Sequence, residues 1–91
     1  MSSHKARIER TNRKGLDQLE VELTVQDAGN GRQSWRGEFT SRSADGILPD
    51  ERLSLVLDSG EKGMARVSET RFDSRSPEST RVHFKGIGPL V

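Results

Sequence analysis

Ninety-one residues allow one domain with a small core, because a chain of this length buries only a little over half of the surface it exposes when unfolded. Hydrophobic residues make up 30% and charged residues 32%, the formal net charge is +1, and the absence of cysteine excludes disulfides, thiolate metal sites and thiol nucleophiles together. No apolar run is long enough for a membrane span or a signal-peptide core, so no membrane insertion is expected and a cytoplasmic setting fits best.

The charge is unevenly spread. Residues 1–14 hold Lys5, Arg7, Arg10, Arg13 and Lys14 against the single Glu9, a net of +4, which leaves residues 15–91 at −3. This reads as a flexible basic arm, residues 1–14, ahead of one small domain, residues 15–91. Such an arm is drawn to phosphate or to an acidic protein partner, whereas the body would not coat a polyanion by itself. Arginine outnumbers lysine eleven to four, and its planar fork suits bidentate contact with phosphate, carboxylate or a guanine edge.

Beyond the arm the apolar period is two. Leu19, Val21, Leu23 and Val25 alternate with polar residues, as a half-buried strand requires. Asp27-Ala28-Gly29-Asn30-Gly31 is a turn, and alternation resumes at Trp35, Gly37 and Phe39, which makes a hairpin. The polar turn Ser41-Arg42-Ser43-Ala44-Asp45-Gly46-Ile47 follows. Leu53, Leu55 and Leu57 then lead through Asp58-Ser59-Gly60-Glu61 into Gly63, Ala65 and Val67, a second hairpin. Residues 73–79, with Pro77, read as a loop before a last strand holding Val82 and Phe84, and Gly86-Ile87-Gly88-Pro89 reads as a final turn. No helical stripe appears. The expected fold is all-β, a small antiparallel barrel of five strands, or six if residues 5–9 also pair, since short strands with one apolar face each bury it by curling closed.

Catalysis finds little footing, and the chain is read as a non-enzyme needing no cofactor or metal. His4 lies in the arm, and His83 falls on the outward side of its strand beside Arg81 and Lys85. Neither gathers the base, orienting group or set of nitrogen ligands that nucleophilic or zinc chemistry needs. Nucleic acid is an unfavoured partner, because Trp35 and Phe39 share the core register of their strand and leave few aromatic platforms for bases. Binding is better served. The turn at 41–46 exposes backbone N–H groups, and a flexible cationic arm can fold over a doubly charged ligand. Arg10, Arg13 and Lys14 form one jaw of that mouth, and Ser41, Ser43 and Gly46 the other.

The order of elements, an arginine arm, a hairpin, a polar turn with Ser43 and Gly46, two strands about a glycine turn and a closing Val82-His83-Phe84 strand, resembles the PilZ domain family. The resemblance covers about three-quarters of the chain as a pattern and implies a bacterial, non-catalytic module. Members of that family grip cyclic di-GMP on the outside of a six-stranded barrel, using two arm arginines separated by three residues and a turn bearing an acid or amide, a serine and a glycine. Arg10 and Lys14 match the two arm positions, with Arg13 one residue out of register, and Ser43 and Gly46 match the turn. Lys14 replaces an arginine and loses its bidentate fork; Ser41 stands where the family has aspartate or asparagine and lacks a carboxylate to receive guanine N–H groups. The resemblance therefore implies a degenerate form of the site. A structural or protein-interaction barrel, and a nucleic-acid-binding barrel, remain the alternative readings.

Overall fold

The structure is a computed structural model that describes residues 2–10, 13–29, 32–42, 45–73 and 75–91. Six antiparallel strands, β1 (Ser2–Arg10), β2 (Arg13–Gly29), β3 (Arg32–Arg42), β4 (Arg52–Leu57), β5 (Lys62–Asp73) and β6 (Ser76–Ile87), close into a barrel in the order β1-β2-β3-β6-β5-β4. Closure pairs β1 with β4, Ala6 opposite Leu57 and Ile8 opposite Leu55, and removes the free edges of the sheet.

The small all-β barrel expected from the alternating pattern is therefore present, with six strands. The flexible arm is not. Residues 2–10 form β1, and the boundary expected after residue 14 falls inside β2, whose pairing with β1 is already set at Arg10 and Arg13. The physical reason is the inward alternation of Ala6 and Ile8, which are 3% and 0% exposed, while Lys5, Arg7 and Glu9 face water. Two buried side chains, with main-chain bonds to neighbours on both sides, hold a segment that charge alone would leave loose.

The expected loop at 73–79 is also corrected. Strand β5 runs to Asp73 and β6 starts at Ser76. Pro77 falls where the register shifts, between the Phe72–Thr80 and Asp73–Ser76 pairs, so a residue without an N–H sits where the ladder is already interrupted. The expected final turn begins later, because Gly86 and Ile87 belong to β6 and only Gly88 takes a left-handed conformation, at φ 82°.

Inward residues of all six strands fill the barrel, as the pattern predicted for Val21, Leu23, Trp35, Phe39, Leu53, Leu55, Leu57, Val82 and Phe84, each 3% exposed or less. The Phe84 ring lies 6.0 Å from Trp35 in an edge-to-face arrangement and 6.0 Å from Phe39. Glycine makes room for these rings. A Cβ on Gly37 would come within 2.7 Å of Phe84, and one on Gly86 within 2.1 Å of the Trp35 indole.

Candidate functional site

At the end of the barrel where β1 turns into β2 and β5 into β6, the connection from β3 to β4 crosses from one side to the other. Ile47 hangs from this crossing into the core, 7% exposed, as the plug of that end. Gly46 adopts φ 66° and Asp50 φ 68°, two left-handed residues that let the crossing bend sharply; aspartate tolerates this conformation better than most side chains. Backbone bonds then seat the crossing on β5, Asp50 N–H donating to Val67 O and Val67 N–H to Glu51 O, both at 2.9 Å.

Arg10 fastens this crossing. Alternation along β1 turns residues 6, 8 and 10 to the same side, and at residue 10 that side faces the crossing rather than the aliphatic core. Its side chain is 3% exposed. The guanidinium donates to Glu51 through both arms of the fork, Nε to Oε2 at 2.6 Å and Nη2 to Oε1 at 2.9 Å. Its Nη1 donates to Asp45 O at 2.8 Å and Nη2 to Gly46 O at 3.4 Å. A bidentate carboxylate and two carbonyls answer the desolvation of a buried cation; removing one partner of such a pair costs about 3–5 kcal/mol. Asp45 braces the approach, its Oδ2 accepting from Arg42 N–H at 3.0 Å and its Oδ1 lying 3.7 Å from Arg42 Nη2.

Of the residues predicted to form the mouth, Arg10 and Gly46 are joined directly, but Arg10 acts as an inward strut. Ser41 is 5% exposed, in β3 opposite Thr80, and is not a surface group. Lys14 is exposed at the start of β2. Arg13 opposes Arg10 in the β1–β2 ladder, and its side chain lies outside the described residues, as does Ser43 altogether. Two participants were missed. Arg42 has a side chain 83% exposed at the rim, and Glu51 holds the strut. The signal for Glu51 was the phase of Arg10 itself: an arginine in the inward register of Ala6 and Ile8 demands an acidic partner at the barrel end.

A concavity of about 340 Å³ lies on the outer face of β2, β3, β6 and β5, lined by Glu22, Arg36, Glu38, Glu69, His83 and Lys85 among others. His83 faces outward as expected, though partly covered; its Nδ1 lies 3.2 Å from Glu38 Oε2, while its Nε2 is buried with no hydrogen-bond partner among the described residues. The Glu69 carboxyl is held below its ordinary value by a hydrogen bond from Arg71 and by that residue's charge. Among the described residues no cluster of three His, Cys, Asp or Glu side chains is placed to hold a metal ion. Comparison with protein-family models, with curated proteins and with solved structures gives no match for this chain.

Proposed function

We propose that the chain is a non-catalytic binding module whose ligand mouth lies at the clasped end of the barrel, with a cyclic dinucleotide as the ligand class and cyclic di-GMP, the ligand implied by the resemblance to PilZ domains, as the compound to test. One observation carries this reading: Arg10 donates to the carbonyls of Asp45 and Gly46, so the end of β1 and this part of the turn meet in one place. The roles within the mouth differ from those expected for the arm. Arg10 is committed to Glu51 and the two carbonyls, so the gripping cations are those at the rim, Lys14 and Arg42. A phosphate oxygen competes with Asp45 for the exposed Arg42 guanidinium, whose separation of 3.7 Å from that carboxylate is long for a charge-assisted bond.

Calorimetric titration with cyclic di-GMP tests this directly. Wild type is expected to bind with saturable heat, and Arg42→Ala and Lys14→Ala each to weaken binding about tenfold or more, the equivalent of one charge-assisted hydrogen bond. Both variants should melt as wild type does, because neither side chain is buried. Absence of heat at saturating ligand, or wild-type affinity in both variants, overturns the reading.

A further inference from the structure

A second surface carries charge that the mouth does not use. In the closed sheet the outward positions of neighbouring strands stand in register, and one such row reads Arg52 on β4, Arg66 on β5, Lys85 on β6 and Arg36 on β3, each the cross-strand partner of the next. All four are exposed. With strands about 4.8 Å apart, the row is about 14 Å long. Like charges directly opposed on a sheet repel and destabilise it. Among the described residues none of the four has a carboxylate within salt-bridge distance, although Arg7, Arg10, Arg42, Arg71 and Arg81 all do. The acids nearest in register are engaged with other cations: Glu38 with Arg81 and His83, and Glu69 with Arg71.

The two flanks of the row differ. On one side the next register positions are Glu69, His83, Glu38 and Glu22, a mostly acidic line. On the other they are Ser54, Met64 and Ile87, which open onto a groove of about 400 Å³ whose wall also includes Val56, Pro89 and Val91. Met64, Ile87 and Val91 are 44%, 43% and 76% exposed.

We propose that the Arg52–Arg66–Lys85–Arg36 row and the aliphatic groove beside it dock an extended acidic segment of a partner protein, whose carboxylates lie along the row and whose apolar side chains enter the groove. Charge complementarity selects an anionic partner, and the acidic line on the far flank selects its shape. A flat anionic surface such as a bilayer would be pressed against Glu22, Glu38 and Glu69, whereas a linear segment can follow the cations and lean toward Met64 and Ile87. The groove is lined mainly by apolar residues, with Glu9, Ser54 and Lys62 beside them, and no aromatic ring lines it, so it suits aliphatic protein side chains and offers no face on which a nucleic-acid base can stack. This surface is independent of the proposed dinucleotide mouth.

The test is fluorescence anisotropy with a labelled peptide of alternating Glu and Leu, about six residues long so that at about 3.3 Å per residue it spans the row with a residue to spare at either end. Saturable binding is expected at low salt, weakening as salt is raised. The Arg66→Glu/Lys85→Glu variant should weaken binding about tenfold or more, and Met64→Ser/Ile87→Ser about fivefold, while Arg42→Ala leaves it unchanged. Melting of Arg66→Glu should be unaltered or higher, because the substitution interrupts the run of like charge; Arg66→Gln is the second variant should the reversal fail to fold. The proposal is overturned if the peptide does not bind at low salt, if the charge variants bind as wild type does, if a Glu/Ser peptide binds equally well, or if oligothymidylate or phosphatidylserine vesicles bind more tightly than the Glu/Leu peptide.

Discussion

The two ends of the barrel are closed by opposite means. At one end Arg10 ties β1 to the β3–β4 crossing through Glu51 and two main-chain carbonyls, with Ile47 beneath. At the other the Trp35 indole lies across Gly86 and Gly63 against Leu90, and its N–H donates to Gly88 O at 2.8 Å. The aromatic end is shut by shape. Its glycines leave no gap, since a Cβ on either would strike the indole. The clasped end is shut by charge, which requires polar groups to be gathered there and leaves Arg42 and Lys14 exposed at its rim. Polar groups that the fold already maintains favour binding chemistry, which is why the proposed mouth is at the clasp and not at the tryptophan.

Truncation should separate the ends most sharply. Trp35→Ala removes a large buried ring and its hydrogen bond and is expected to cost about 3–5 kcal/mol, with a fall in melting temperature of about 4–8 °C for each kcal/mol in a domain of this size. Arg10→Ala should cost a similar amount by a different route, leaving the Glu51 carboxylate and two carbonyls without their donor. A double-mutant cycle distinguishes the routes. Arg10 and Glu51 should couple by about 2 kcal/mol, and Arg10 and Trp35 by less than about 0.5 kcal/mol. Equal coupling of both pairs would mean that the ends are not independent closures.

The smallest expected effect concerns acid. Glu69 and Arg71 form an exposed pair at 2.8 Å, in which the carboxyl is lowered and the guanidinium raised. A carboxyl lowered in the folded state contributes stability that is fully present above its unfolded value, near 4.5, and is lost as pH falls through the lowered folded value. Glu69→Gln should therefore leave melting at neutral pH almost unchanged and remove only a slight slope on the acid side. A large loss at neutral pH would place Glu69 in a structural role that its exposure does not suggest.

Much of the barrel was legible because alternation is local. The Leu53, Leu55, Leu57 run needs no partner to declare its inward face, and the glycine turn at residue 60 follows at once. The same rule applied to Ala6 and Ile8, but five cations around two small apolar positions hid the strand. What local pattern does not carry is the identity of a distant partner. Arg10 meets Glu51 forty-one residues later; its inward phase demands an acid, but nothing near it says which one. Gly86 reads as a turn residue until it is known that Trp35, from another strand, occupies the space of its missing side chain. Ser41 fails as a surface group for a related reason: strand β3 continues through it, and its alternation points it inward. The cationic row escapes a linear reading altogether, because each of its members lies on a different strand and only the register brings them together.

Proposed binding of a cyclic dinucleotide at the clasped end alone can be checked by amide hydrogen exchange with and without cyclic di-GMP, read at both ends at once. Added ligand is expected to slow exchange at Arg42, Asp50 and Glu51, whose N–H groups bond within the crossing and to β5, and to leave unchanged the reciprocal pair Lys62 and Val91 at the aromatic end. Protection at Lys62 and Val91 instead, or no change at either end under saturating ligand, would contradict it.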